Sequence, residues 1–365
     1  TSQKFLSPTD DYILSLTPGL DSVGGATNYG TWGVSFTTYG PEAGLSLTSL
    51  SGDVAAAFNT SSGSRTTGSA RLPGSLSIVA PLGSIAINTA SATTLFAYST
   101  DAFGDDTGAL TFAAAGSIAT GQLALNNPLA GAAYTNPLGL PSYSYAPANL
   151  ATSAPVVVSA GQDISGTLSI NRVTEIQAGR DIGAGSAGFI FTGRNLTDSD
   201  VTSIVAGRDI GSNSGISNNS SFTQYGPGAL LIEAGRNINI GSNGTGGSGI
   251  VAVGNGSASG SILIPYVPYL PAQSADVYLL YGVGPGIGYA NFIDRYVNPA
   301  NIATSGFTQQ WSVPINGINT DISTAAGWAL FQQLSAAQQD LFVDRAFLTL
   351  LNTVAADYGN SSSSY

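Results

Sequence analysis

A five-residue phrase recurs through the middle of the chain and restricts what it can fold into. It reads AGQDI at 160–164, AGRDI at 178–182, TGRNL at 192–196, AGRDI at 206–210 and AGRNI at 234–238. Two positions before each Ala or Thr stands an aliphatic residue: Val158, Ile176, Ile190, Ile204 and Ile232. Successive side chains of a strand point to opposite faces. The aliphatic and the small residue therefore share one face, and the residue between them (Ser159, Gln177, Phe191, Val205, Glu233) takes the other. Gly161, Gly179, Gly193, Gly207 and Gly235 then permit a bend that a Cβ would resist. A short strand that restarts at a fixed corner predicts a stacked solenoid.

The glycines are spaced by 18, 14, 14 and 28 residues. Eighteen suits one compact three-sided coil. Fourteen is too short, which makes Gly193 an intermediate corner of a coil running from Gly179 to Gly207. The last step is then a similar coil without that corner. Stacking places Asp163, Asp181, Asn195, Asp209 and Asn237 in one column at a turn, where short polar side chains hydrogen-bond nearby backbone. Arg180, Arg194, Arg208 and Arg236 stand beside these residues and can pair with the acids. Exposed pairs contribute only ~0–1 kcal/mol each, so the aliphatic column is expected to hold the stack together.

The rest of the composition agrees with a turn-rich β protein. Of 365 residues 47 are Gly, and charged residues make up 8% against a typical ~25%. Hydrophobic residues are 43%, enough to bury a core. A net charge of −11 with a single lysine, Lys4, argues against a nucleic-acid-binding face. No apolar run is long enough to span a membrane. Cys, Met and His are all absent. That removes disulfides, thiol chemistry, zinc sites and every histidine-containing triad. The lack of Met marks Thr1 as a processing product or a fragment boundary.

Read in order, residues 1–44 form an irregular lead-in and 45–260 the solenoid. Looser corners stand at Gly52, Gly83 and Gly116, with loops bulging at 59–73 and 97–108. Residues 127–155 carry Pro128, Pro137, Pro141 and Pro147 and break the pattern as a long loop. Residues 212–224 are a Ser/Asn-rich excursion, and 241–260 are Gly-rich turns. Residues 261–320 mix strand and turn signals. Helical signals begin near 321, where Asp321 or Ser323 is a candidate cap for a helix at 324–334. Ser335 and Gln338 form a capping box for a helix at 336–357, with Phe342, Phe347, Leu348 and Leu351 as its packing face and Gly359 as its stop. The tail 360–365 is expected to be disordered.

An ordered set of motifs resembles the C-terminal part of the large exoproteins of the filamentous haemagglutinin family. The matching stretches are FLSPTDDYILSL near the start, the AGRDI corners, GPGALLIEAGRNINIGSNGTGGSGIVAVGNG at 226–256, ANFIDRYVNP at 290–299 and FQQLSAAQQDLFVDRAFLTLL at 331–351. The resemblance implies a right-handed parallel β-helix with a short helical end, exported by two-partner secretion through an outer-membrane partner. It implies a secreted or cell-surface protein acting in adhesion or as a structural fibre, with self-association into fibres and a surface glycan or protein receptor as expected partners. It assigns no catalytic residue here, and no cofactor or metal is expected.

Other residues invite a chemical reading. The Asp/Arg corners resemble the acid and base rows of β-helical polysaccharide lyases, which makes a glycan-binding or glycan-cleaving β-helix the alternative function. A residue type repeated at every corner reads better as architecture than as catalysis. Asp105, Asp106, Asp198 and Asp200 offer oxygens for Ca²⁺ but match no EF-hand or nonapeptide repeat, and solvated loop acids are the simpler reading. Tyr134, Tyr143 and Tyr145 form the candidate ligand-contact loop, and Tyr266 and Tyr269 offer further flat faces for sugars; tyrosines covering a flank are the plainer alternative. The sequons at Asn59, Asn195, Asn243 and Asn255 are expected by chance in so Asn/Ser/Thr-rich a chain.

Overall fold

A computed structural model describes residues 44–57, 69–73, 75–88, 93–98, 109–126, 155–170, 172–183, 188–211, 220–240, 249–254, 272–284, 288–301, 311–315 and 317–359. Two long parallel sheets dominate them. The first contains β1 (Gly44–Thr48), β4 (Ser75–Ala80), β7 (Leu110–Ala114), β9 (Val156–Ala160), β11 (Thr174–Ala178), β13 (Val201–Ala206), β16 (Ala229–Ala234) and β19 (Asp276–Tyr281), side by side in that order. The second contains β2 (Val54–Ala57), β5 (Ile85–Asn88), β8 (Ile118–Asn126), β10 (Ile164–Ile170), β12 (Phe189–Arg194), β15 (Ser221–Tyr225) and β18 (Ile250–Val253). Beside it, β3 (Ser69–Pro73) pairs with β6 (Thr93–Tyr98), and β6 pairs with β8; β14 (Asp209–Ile210) and β17 (Asn237–Ile238) form a short parallel pair. Spatial order follows chain order in both sheets, and the chain alternates between them. Each pass therefore adds one strand to each sheet, directly on the pass before.

The register explains the core. Val158, Ile176, Ile204 and Ile232 are consecutive partners across four strands, and Ala160, Ala178, Ala206 and Ala234 are partners two residues on. All eight are buried. From the facing sheet Ile87, Ile118, Leu123, Leu168, Phe191 and Phe222 close the same cluster. Burying an aliphatic or aromatic side chain of this size stabilises by ~1.5–3 kcal/mol, so the column that repeats in the sequence is the column that organises the sheets.

Three expectations of the repeat need correction. The glycine corners stack at Gly161, Gly179, Gly207 and Gly235, with each N–H donating to the carbonyl of the preceding pass: Gly179 to Ala160, Gly207 to Ala178 and Gly235 to Ala206. Gly193 is not among them, because it lies within β12 and pairs with Gln224 of β15. The TGRNL phrase thus belongs to the other sheet. There the alternation is reversed: Phe191 points inward, while Ile190 is 37% exposed. The loops at 59–73 and 97–108 are shorter than expected, since Ser69–Pro73 and Thr93–Tyr98 are paired strands. Likewise β15 takes up the end of the 212–224 excursion, and β19 carries the first sheet past residue 260.

Past the sheets, α1 (Tyr289–Phe292) runs into a π-helical turn at Ile293–Val297, where mixed strand and turn signals were read. β20 (Ser312–Ile315) and β21 (Ile318–Asp321) form an antiparallel hairpin beside α2 (Ala325–Phe331) and α3 (Ala336–Gly359). Thr324, rather than Asp321 or Ser323, caps α2: its Oγ1 accepts from Gly327 N at 3.1 Å. Asp321 instead accepts from Ser323 N and Oγ. The Ser335/Gln338 capping box forms as read, with Gln338 N donating to Ser335 Oγ and Ser335 N to Gln338 Oε1. Phe342 sits edge-on to both Trp311 (5.8 Å) and Phe331 (5.2 Å) in a second core. The packing face is rotated from the one expected. Leu341, Phe342, Val343 and Ala346 are buried, whereas Phe347 and Leu348 are about half exposed at 48% and 45%. The Leu351 side chain lies outside the described residues. No helix among the described residues is long and apolar enough to cross a membrane.

Candidate functional site

Two groups of polar side chains stand out, and they are built on opposite logic. The first is the corner column. Asp53 Oδ1 accepts the N–H of Ser84, Ser84 Oγ that of Ser117, and Ser117 Oγ that of Asp163. Asp163 Oδ1 accepts the N–H of Asp181, and Asp181 Oδ1 that of Asp209. Asn237 ends the column by donating its amide to Asp209 Oδ1 at 3.0 Å. One short polar side chain per pass thus caps the backbone of the next pass. The glycine beside it lets the corners close up: a Cβ on Gly179 would lie 2.3 Å from Gly161 O, and one on Gly207 would lie 2.4 Å from Gly179 O.

The arginines also bond across passes. Arg180 pairs with Asp163, Arg208 with Asp181 and Arg236 with Asp209, each through Nε and Nη2 to the two carboxylate oxygens. The Arg180 hydrogen bond leads in holding the Asp163 carboxyl below its ordinary range. At Asp209 burial acts upward but is outweighed by the hydrogen bonds of Arg236 and Asn237, so its carboxyl is also lowered. All three acids are bidentately paired with arginine, and Asp163 and Asp181 also accept backbone N–H groups. Their lone pairs are committed to holding the stack, which leaves them poorly placed to act as bases or cation ligands.

Asn195 and Arg194 do not belong to this column. Asn195 is wholly buried at the turn between β12 and β13. Its amide nitrogen donates to Pro227 O (2.9 Å) and Ala229 O (3.0 Å), and its oxygen accepts from Thr202 Oγ1 (2.7 Å). Arg194 is buried, with its guanidinium carbon 5.8 Å from the Tyr225 ring centroid. Asp200 closes the same turn by accepting from Leu196 N, Thr197 N and Thr197 Oγ1, which occupies the oxygens considered for Ca²⁺; Asp198 is exposed. Among the described residues no three acids converge as a metal site. Tyr134, Tyr143 and Tyr145, with Tyr266, Tyr269, Asp105, Asp106 and the sequons at Asn59, Asn243 and Asn255, lie outside the described residues.

The second group lies where the helices cover the outer face of the first sheet. Val201, Ala229 and Leu231 of the sheet meet Ala337 and Leu341 of α3. Gln338 Nε2 donates to Ser199 O at 2.7 Å, and Arg345 Nε to Tyr278 Oη at 2.7 Å. Between these anchors Tyr289 of α1 donates to Glu233 of β16, and the same hydroxyl lies 3.1 and 3.3 Å from the two carboxylate oxygens of Asp344. Glu233 is 5% exposed and Asp344 only 2%. Burial first, then the charge of Glu233, pushes the carboxyls of Asp344 and Asp340 up to about 7. Burial also raises Glu233 and Glu175. On the other side of Arg345 a cleft of about 320 Å³ opens between α3, the β20 strand and the 198–201 turn, floored by Trp311, Val313, Leu341 and Phe342.

Of the acids and the tyrosine at this joint, sequence reasoning placed only Glu233, as an outward residue of its strand. It passed over Tyr289, Asp340 and Asp344. A signal was present: Asp340 and Asp344 are four apart, on one helical face, and bracket the apolar run Leu341, Phe342, Val343. No family model, curated protein or solved structure matches the chain.

Proposed function

We propose that the two parallel sheets are faces of a right-handed parallel β-helix, and that the chain is a non-enzymatic segment of a secreted bacterial surface exoprotein serving adhesion or a structural rod. The observation that carries this reading is the corner column. One polar residue per pass caps the next from Asp53 to Asn237, and the aliphatic column stacks in register beside it. An object made of nearest-neighbour contacts is a stiff extended scaffold. Its polar repeats are consumed internally, so binding falls to segments that leave the stack, as rigid scaffolds commonly arrange. The resemblance to filamentous haemagglutinin-type exoproteins supplies the surface location, an outer-membrane secretion partner and the prospect of self-association.

The test uses the purified full chain on a panel of immobilised surface glycans, with the same polysaccharides assayed for chain cleavage. The expected result is binding without cleavage. Replacing Tyr134, Tyr143 and Tyr145 together with Ala is expected to weaken binding while leaving the thermal midpoint unchanged. Cleavage of any panel member that a single acidic substitution abolishes would overturn the non-enzymatic reading in favour of a glycan-active β-helix.

A further inference from the structure

We infer that the C-terminal helices are latched to the sheet by a proton held between Glu233, Tyr289 and Asp344, so that the helical cap docks in acid and loosens as the pH rises to neutral. The argument begins with a count of protons. One tyrosine hydroxyl carries one hydrogen, and here it meets two carboxyl groups. It donates to Glu233. The contact with Asp344 becomes a hydrogen bond only when Asp344 is itself protonated and donates to the tyrosine oxygen. With both acids ionised, one buried carboxylate faces an oxygen lone pair and a second negative charge, a costly arrangement in a site this dry.

The three groups come from three elements, α1, β16 and α3, so the proton sits at the joint between cap and sheet. The other titratable groups around the joint do not compensate it. Asp340 shares the exposed-to-buried edge of α3, and Glu175 faces it from β11; their charges add to the repulsion. The nearby cation, Arg345, is turned to Tyr278 Oη at 2.7 Å and lies 3.4 Å from Asp276 Oδ2 on β19. Asp340 and Asp344 are both raised to about 7, well above the ordinary carboxylate value of 3.8. A group whose pKa is higher docked than free takes up a proton on docking. Its contribution is complete below the free value and is lost as the pH rises through the docked one. The window is therefore pH ~4 to ~7, with no further loss above it.

The test follows cap release in the intact chain carrying Trp32→Phe, so that Trp311 and Trp328, both in the cap, report by fluorescence. Mild urea titrations at pH 5 to 9 give the ratio of released to docked cap. Each proton taken up on docking makes that ratio rise about tenfold per pH unit between pH 5 and 7, so Asp344 alone gives about tenfold and Asp344 with Asp340 up to about a hundredfold, with a plateau beyond pH 8. Glu233→Gln removes the charge that acts on both helix acids and frees the tyrosine proton for Asp344, so it is expected to flatten the rise. Asp340→Asn combined with Asp344→Asn is expected to do the same and serves if the first variant fails to dock. A flat ratio in the unsubstituted acids from pH 5 to 8, or a rise that survives in a docked Glu233→Gln or double variant, overturns the latch.

Discussion

Asp181 tests whether the corner column works through its charge or through its hydrogen bonds to backbone. The side chain is 9% exposed and makes two kinds of contact across passes. Arg208 grips both oxygens, and Oδ1 accepts the backbone N–H of Asp209, a residue only 5% exposed. Asp181→Ala removes both. The arginine is 43% exposed and can return to water, so losing the pair costs ~0–1 kcal/mol. The Asp209 N–H cannot, and a buried donor left without an acceptor costs ~1–3 kcal/mol. The variant is therefore expected to lose roughly 1–4 kcal/mol. Asp181→Asn keeps an amide oxygen for the same N–H and loses only the charge, so it should cost under ~1 kcal/mol, whereas Arg208→Ala leaves the Asp181 carboxylate, 9% exposed, without its partner and should cost more. Urea-unfolding midpoints of the full chain, followed by β-sheet circular dichroism at a common slope, measure the three differences. If Asp181→Asn proves as damaging as Asp181→Ala, the ion pair carries the column and the backbone argument is wrong. If both are silent, the column is ornament on a stack held by its aliphatic core alone.

Gly207→Ala places a methyl group 2.4 Å from Gly179 O and is expected to cost ~1–3 kcal/mol by forcing two passes apart; Gly288→Ala, whose nearest neighbour would be 3.6 Å away, is the thermal-shift control and should be near neutral. Asn195→Ala strips the Pro227 and Ala229 carbonyls and the Thr202 hydroxyl of a buried partner. At ~1–3 kcal/mol for each buried group left unsatisfied, it should exceed Asp181→Ala in the same urea assay, and a smaller loss would show that water reaches the turn.

What could be read from the sequence was whatever depends on stacking like upon like. Ile176, Ile204 and Ile232 repeat because each covers the one before, and the periodic strand pattern reports that directly. The corner at Gly52, Gly83 and Gly116 was legible for the same reason, although its polar residue changes from Asp to Ser. The phrase at 192–196 misled because the same letters arise from a different constraint. Gly193 sits against the Phe191 ring and the Gln224 amide, where a Cβ would lie 2.5 and 2.7 Å away, and Asn195 is fixed by three carbonyls and a hydroxyl rather than by a stacked neighbour. Local spelling does not say which sheet a strand joins. The face of α3 was misread for a related reason. Periodicity alone identifies an apolar stripe, but here two surfaces compete for the helix: the sheet takes Leu341, and the Trp311–Phe331 core takes Phe342. Phe347 and Leu348 are left outside both.

Two populations of acids among the described residues are set apart by geometry. Asp163, Asp181 and Asp209 stand on the corners of three successive passes, so each is met by an arginine from the next pass, and the cost of packing carboxylates in a column is offset pair by pair. The acids at the cap joint do not repeat. They come from elements far apart in sequence, Glu233 from a strand and Asp340 and Asp344 from a helix more than a hundred residues later, and no periodic partner accompanies them. Protonation takes the place of an arginine there. The two populations consequently respond to pH in opposite senses. Asp163 and Asp209, with lowered pKa values, contribute stability that is present above the ordinary carboxylate range and lost as pH falls through their folded values. Asp340 and Asp344, with raised values, contribute stability that is lost as pH rises from about 4 to about 7. A rise in pH from acid to neutral therefore acts on the joint and strong acid on the stack, so the helices can be freed while the arginine-paired corners beneath them stay paired.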